Sequence, residues 1–478
     1  MNSLLQMVIF GATGDLVHRK LMPALFSLFS AGHLPSQFEI IGFSRRDLSD
    51  HQYREMMAEV IWQHFPQAQT EQVRGFINSL QYQAGYFDQP DGYASLAERI
   101  GFRHGRWSYC ANRMYYLATP PQHYYSIIEH LYQHGLAQPC SEKEGEIKIL
   151  IEKPFGRDTV SARRLDALLG KWFAEQQIFR IDHYLGKESI QNILMFRFSN
   201  TIFEPIWNKQ YVKYIHIRMW EQLGLEGRGG FYDQIGALRD TGQNHLLMML
   251  ALVTMDLPSK FSPVAIRRSR HEVLKTLNNI PDDQIRQRTF RAQYVGYRQE
   301  PGVEADSETE TYFRLWAEMG HPRWEGVPII LEGGKKLSQT LTEIAIGFCH
   351  PTRCFSPRGQ QHDCCNRIVF RLKPQEEIKI KFWMKKPGLN LSLESRDLSF
   401  DYHTGFDERL PRAYEKVLLD AIKGDQTLFT STAELLDSWD FISQVLQAWK
   451  NNLVPLSSYQ PGTLPANEMK LPVVLPEK

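Results

Sequence analysis

The chain has 478 residues, too many for one ordinary compact core, so its length favours two or three domains, of which two is our reading. With 42% hydrophobic and 23% charged residues it falls among folded globular proteins and outside the disordered and fibrous classes. A formal net charge of +1 excludes a global basic field for nucleic acid, so an anion must be held by a local set of Lys, Arg and backbone donors, which suits a small phosphorylated ligand. The N-terminus runs into the apolar segment MVIF without the basic stretch and cleavage site of a secretory signal, which points to the cytoplasm. The apolar run from Leu246 to Val253 is far shorter than the roughly 20 residues that cross a bilayer. No membrane partner is expected.

The first third alternates short apolar runs with amphipathic stretches: LLQMVIF, the helix-like KLMPALFSLFSAG, FEIIGFS, and later RMYYLAT and IKILIEKPFG. That rhythm predicts a parallel sheet covered by helices. Ser161 to Phe173 reads as a helix, and a change of pattern between Phe179 and Glu188 places a domain boundary near residue 182. Beyond it, a helix over Arg239–Val253 precedes the strand-like runs YVKYIHIRMW, TYFRLWAEM, VPIILEG, RIVFRL and EIKIKFWM. Alternation in IKIKFWM suits a strand with one wet face. The expected fold is an α/β N-terminal Rossmann-like dinucleotide-binding domain over 1–182. An α+β C-terminal domain with a large, mainly antiparallel sheet follows over 183–478. Two further helices, Ala413–Ile422 and one ending at Trp449, precede a Pro-rich tail from Pro455 that reads as irregular.

Directly after MVIF come Gly11-Ala12-Thr13-Gly14-Asp15-Leu16 and then a helical pattern. A strand, a Gly turn and a helix make a phosphate cradle: Gly11 permits the tight turn, Gly14 lets a pyrophosphate approach the backbone, and the helix start offers N–H groups. The second strand ends at Ser44-Arg45-Arg46, where an NAD enzyme usually carries a carboxylate for the ribose hydroxyls. Arg45 can instead fork onto a ribose 2′-phosphate, which favours NADP.

Six cysteines are too few for a disulfide scaffold. Cys349, Cys354, Cys364 and Cys365 lie beside His350 and His362 at a spacing that matches no standard zinc motif. No metal is expected there. Cys110 and Cys140 complete the set.

Three segments together, GATGDL, EKPFG (Glu152 to Gly156) and RIDHYLGKE (Arg180 to Glu188), give the chain its resemblance to the glucose-6-phosphate dehydrogenase family. EGRGGFYD, RDTGQNHLL, RWEGVP, GGKKL and AYEKVLLDAIKGDQTLF extend it, in the family's order, from about residue 8 to about residue 450. Oxidising a hemiacetal hydroxyl needs a base for its proton and an acceptor for its hydride, and His is the natural base near neutral pH. His245 lies in an otherwise apolar helical run, so it needs a polar partner to fix its tautomer. The resemblance implies His245 as base and Asp182 as its orienting carboxylate.

It further implies that His183, Tyr184 and Lys187 grip the sugar 6-phosphate. Positions 183 and 187 would share a face if that segment is helical. Lys153, before a proline expected to be cis, would reach both substrate and cofactor. Glu221 and Asp240 would bind sugar hydroxyls, with Lys335 of GGKKL among the substrate contacts. Gly11, Thr13, Gly14, Asp15, Leu16 and Arg45 would hold NADP. The implied reaction is oxidation of D-glucose 6-phosphate at C1 to the lactone, the first step of the oxidative pentose phosphate pathway, by a homodimer or dimer of dimers. Rival readings are a dehydrogenase of another hexose 6-phosphate or of free glucose, and a silent assembly subunit with the same fold; the intact Asp182, His183, Lys187 and His245 argue against the last.

The pattern departs from the family at four places. Val17 stands where a small Ala is usual, and Glu332 where Arg is common. Thr340 replaces a basic residue, and YQPGTLPA lacks the usual Trp-Gly-Pro. Glu332 reverses a local charge, and Thr340 supplies a hydrogen bond without one.

Overall fold

The computed structural model describes residues 4–101, 111–139, 145–350, 365–401 and 410–465. The chain divides into two compact units, one of Met1–Gly156, Val160–Gly186 and Pro411–Thr432, the other of Arg157–Thr159, Lys187–Leu410 and Ala433–Lys478. The division therefore falls four residues beyond the expected 182, and the segment Pro411–Thr432, assigned from sequence to the second domain, returns to the first.

The first unit holds β1 (Leu5–Phe10), β2 (Phe38–Ser44), β3 (Leu80–Ala84), β4 (Asn112–Leu117), β5 (Ile147–Glu152) and β6 (Ile178–Ile181). They form a parallel sheet ordered β6-β5-β4-β1-β2-β3. Strands covered by helices on both faces are apolar almost throughout, and every residue of LQMVIF in β1 is buried. Met22–Ser30 and Ala413–Lys423 supply buried apolar residues to the same core. The return segment is fixed by side chains reaching backbone. The Arg180 guanidinium donates to the Thr430 carbonyl and to the Thr432 hydroxyl, and the Gln426 amide donates to the Glu175 and Ile178 carbonyls. A short edge strand, Phe429–Thr430, pairs antiparallel with β6.

In the second unit, β7 (Val212–Trp220), β8 (Thr289–Tyr294), β9 (Tyr312–Ala317), β10 (Ile329–Gly334), β11 (Leu341–Cys349), β12 (Cys365–Lys373), β13 (Glu377–Lys385) and β14 (Leu393–Asp401) make one sheet. Its order is β14-β13-β12-β11-β7-β10-β9-β8, and a ninth strand pairs beside β8. It is antiparallel except for β7–β10 and that last pair, as the sequence led us to expect for its main part. The ninth strand, Leu456–Tyr459, corrects the reading of the Pro-rich tail as irregular: it lies parallel to β8, and the Tyr459 hydroxyl donates to the Lys335 carbonyl at 2.6 Å.

The run expected as one helix over 239–253 is two elements. Leu238–Leu246 is wound wide, with the Leu247 N–H reaching back five residues to the Gly242 carbonyl, and Leu247–Thr254 continues as an α-helix buried at every position.

Candidate active site

At the end of β1 the Gly11 N–H donates to the Phe43 carbonyl at 2.8 Å, and the Gly14 N–H to the Gly11 carbonyl at 2.9 Å. Gly11 has φ +82°, and a Cβ there would lie 2.5 Å from the Ala118 carbonyl oxygen, so only glycine fits. The Thr13 hydroxyl meets that of Ser44 at 3.0 Å, joining this turn to the end of β2. Arg45 and Arg46 follow β2 and are exposed, and Asp15 is exposed while Leu16 packs on the core. The following helix opens with a wide turn, Val17–Leu21, before Met22–Ser30, whose Pro23 lacks an N–H for the preceding turn. Val17 is fully buried. A tight glycine turn between the first strand and a helix fits a dinucleotide.

The carboxyl ends of β5 and β6 carry a second group in the same unit. Glu152 ends β5 and Lys153-Pro154 follows with a cis bond, as expected. The Glu152 carboxylate accepts the hydroxyls of Tyr116 at 2.5 Å and Tyr414 at 3.1 Å. Withdrawal from water pushes its carboxyl up to about 7 despite those two bonds and the charge of Lys153, and Asp182 adds to the rise. Asp182, 2% exposed, follows β6 and accepts the Tyr184 N–H at 3.0 Å. His183 stacks on Tyr414 with centroids 5.9 Å apart and rings 13° from parallel. Residues 183–186 are a turn and the next helix starts at Glu188, so positions 183 and 187 do not share a helix face.

Lys187 caps that helix in the second unit, donating to the Leu372 carbonyl at 3.2 Å. Burial lowers its ammonium below the ordinary lysine range, an effect Glu376 partly offsets. His245, 2% exposed, lies in the wide turns Leu238–Leu246. The same turns carry Asp240, whose carboxylate is 3.4 Å from the Lys335 ammonium. Lys335 follows β10 and also pairs with Glu221, which follows β7. Because β7 and β10 are parallel neighbours, Glu221 and Lys335 leave the sheet side by side, and the Glu221 N–H donates to the Gly334 carbonyl at 2.9 Å.

The Lys335 ammonium also stands 5.1 Å from the centre of the Tyr232 ring. Burial alone would lower this lysine, but Asp240 and Glu221 outweigh it and raise it, so it is charged at neutral pH. Gly333 lets the wide helix approach β10, since a Cβ there would meet Phe313 and the Thr241 hydroxyl, both at 2.8 Å. The Thr340 hydroxyl accepts the Gln222 N–H at 3.2 Å, tying the segment after Lys335 to the residue after Glu221.

Thus Thr13 meets the end of β2, Glu152, Lys153, Asp182 and His183 share the ends of adjacent strands in the first unit, and Glu221, Asp240 and Lys335 form one ionic group in the second. Sequence reading missed Tyr116, Tyr414, Tyr232 and Ser44. Glu152, at the head of EKPFG, was the signal for the tyrosine cluster, because a carboxylate ending a buried strand must find donors. Cys349 and Cys365 occupy directly opposed positions on β11 and β12, whereas Cys110, Cys140, Cys354, Cys364 and His362 lie outside the described residues. Among the described residues no helix is long and apolar enough to cross a membrane.

Comparison with known proteins covers nearly the whole chain. The NAD binding domain of glucose-6-phosphate dehydrogenase matches residues 8–192, and the C-terminal domain of that enzyme matches 194–472. A glucose-6-phosphate 1-dehydrogenase of Borreliella burgdorferi is 39% identical over 452 residues, 92% of this chain and 91% of that protein. One from Aggregatibacter actinomycetemcomitans is 38% identical over 95% of this chain and 93% of its own length. A solved glucose-6-phosphate dehydrogenase in complex with its substrate glucose-6-phosphate superposes with a TM-score of 0.89 at 32% identity, covering 98% of this chain and 96% of its own. With both domains matched and the fold shared end to end, the chain belongs to the glucose-6-phosphate dehydrogenase family.

Proposed function

We propose that this protein oxidises D-glucose 6-phosphate at C1 to 6-phospho-D-glucono-1,5-lactone with NADP+ as acceptor, the first step of the oxidative pentose phosphate pathway. The observation that carries the proposal is the match of both family domains in a chain that keeps Asp182, His183, Lys187 and His245. A dinucleotide held by its pyrophosphate at the β1 turn would supply the hydride acceptor through its nicotinamide. Gly11, Thr13, Gly14, Asp15 and Leu16 hold the dinucleotide, and Arg45 engages the 2′-phosphate. Lys153 orients cofactor and sugar towards each other.

His183, Tyr184 and Lys187 grip the 6-phosphate, with the stack of His183 on Tyr414 limiting its rotation. Glu221 and Asp240 accept sugar hydroxyls, and Lys335 keeps the two carboxylates from repelling one another. His245 takes the C1 hydroxyl proton as Asp182 orients its ring and stabilises the imidazolium formed. The protein works in the cytoplasm as a homodimer. Support for a partner surface comes from β13 and β14, whose shared face exposes Phe382, Met384, Leu398 and Phe400.

His245→Asn tests the chemistry. Turnover should fall by about a hundredfold to ten-thousandfold with KM for the sugar phosphate little changed. Undiminished turnover would remove His245 from the role of base.

A further inference from the structure

Glu332 is a carboxylate inside the large sheet, 0% exposed, at a position where the family commonly has Arg. One of its oxygens accepts the Trp220 indole N–H at 3.0 Å and the Tyr312 hydroxyl at 2.7 Å. The other accepts His216 Nε2 at 3.0 Å and stands 3.2 Å from the Arg314 guanidinium. The four acceptor sites of the carboxylate are thereby used.

Strand register explains the sign of the charge. Glu332 is directly opposite Arg218 on β7 and Arg314 on β9, so a cation at 332 would have an arginine on each side. Arg218 is in turn paired with Glu343, Glu343 with Arg371, and Arg371 with Glu377, which makes a row of alternating charge across the sheet. Burial alone would raise the Glu332 carboxyl; the bond from His216 and the charge of Arg314 outweigh it and hold the group at about 2, ionised at neutral pH.

Three strands meet at this carboxylate: β7 and β10 run on into Glu221 and Lys335, and the residue before β9 supports Lys335. Trp220 ends β7 and is followed by Glu221. Tyr312 opens β9, and the carbonyl of Thr311 before it accepts the Lys335 N–H at 2.9 Å. Lys335 lies three residues after Glu332 itself. Side chains alternate along a strand, and Gly333 faces Thr241 of the wide helix, so Glu332 works from the opposite face of the sheet.

We propose that Glu332 is a positioning residue for the sugar: by clamping Trp220 and Tyr312 it sets the spacing of Glu221 and Lys335, and so governs substrate affinity while leaving the chemical step alone. This rests on the sugar-binding role proposed above for Glu221, Asp240 and Lys335.

Steady-state kinetics on a small set of variants tests it. Glu332→Leu removes all four bonds at similar volume, whereas Glu332→Gln keeps an oxygen for Trp220 and Tyr312. Trp220→Phe and Tyr312→Phe each delete one donor and keep a ring, and carry the test if Glu332→Leu does not fold. Glu332→Leu should raise KM for glucose 6-phosphate about tenfold, with kcat and KM for NADP within about twofold, and Glu332→Gln should recover most of the loss. The two Phe variants should each raise the same KM about threefold.

Unchanged sugar KM in both Phe variants, or a parallel worsening of kcat and of KM for NADP, overturns the positioning role. Lys335→Ala, measured alongside, separates the two readings. If it leaves the sugar KM unchanged, the sugar-binding assignment itself fails. If it raises that KM while the Glu332, Trp220 and Tyr312 variants do not, only the positioning role fails.

Discussion

At the end of β1 a ligand meets a tight backbone turn closed by the Gly11 and Gly14 N–H groups, with Asp15 exposed within it and Arg45 exposed beyond β2. At the ends of β7 and β10 it meets side chains: one lysine, 7% exposed, between two carboxylates. The first arrangement lies mostly within one turn of six residues, tied to Phe43 and Ser44 at the end of β2. The second depends on strands far apart in sequence keeping register, because Glu221 and Lys335 are 114 residues apart. A backbone cradle loses little when one side chain is cut away, whereas an ionic group loses both a contact and the neutralisation of its remaining members.

The largest expected difference between the regions comes from Lys335→Ala. It should raise KM for the sugar phosphate about a hundredfold, and it should lower stability by about 1–3 kcal/mol because Glu221 and Asp240 are left facing each other, partly buried. Urea titration together with initial rates reads both effects; a change in rate with no change in stability would show that the two acids do not need the lysine. Arg45→Ala sharpens the other side of the comparison. Binding of NADP should weaken about tenfold to a hundredfold, with NAD affinity and stability unchanged, since the side chain is exposed. Equal losses for NADP and NAD would refute contact with the 2′-phosphate.

The smallest effect is a matter of pH. Glu152, among Tyr116, Tyr414, Tyr124, Lys153 and Asp182, has its carboxyl raised from 4.5 to about 7, so the folded protein binds that proton more tightly than the unfolded chain. The linked stability is complete below about 4.5 and is lost as pH rises through about 7. Glu152→Gln should therefore flatten the decline of stability across that window, by about 1–3 kcal/mol in all. Parallel pH curves for the two proteins would show that the carboxyl is not raised.

The sequence was most readable where structure is local. The Gly11–Gly14 turn, the strands β1, β2, β4, β5, β7, β9, β10, β12 and β13 and the helix Ala413–Lys423 follow from apolar periodicity and glycine placement, and the resemblance supplied the cis bond at Lys153-Pro154. Long-range pairing was hidden. Nothing in Pro411–Thr432 announces that Gln426 and Thr430 complete the first unit, because Gln426 meets the Glu175 carbonyl and the Thr430 carbonyl meets the Arg180 guanidinium, partners some 250 residues earlier. Leu456–Tyr459 is four residues after a proline, too short for its period to stand out, and it is a strand only because β8 lies beside it.

The wide winding at Leu238–Leu246 also escapes periodicity, which cannot tell turns closed over four residues from turns closed over five. For the candidate site, residue types were legible and groupings were not. Glu332 read as a reversed charge, and only the register that sets it between Arg218 and Arg314 gives that charge a reason.

The most direct measurement is the initial rate of nicotinamide reduction with glucose 6-phosphate or glucose, each paired with NADP or NAD. Rapid reduction of NADP with glucose 6-phosphate, and far slower reduction whenever the phosphate is missing from the sugar, is the expected result. Equal rates with free glucose, or no reduction in any pairing, would contradict the account.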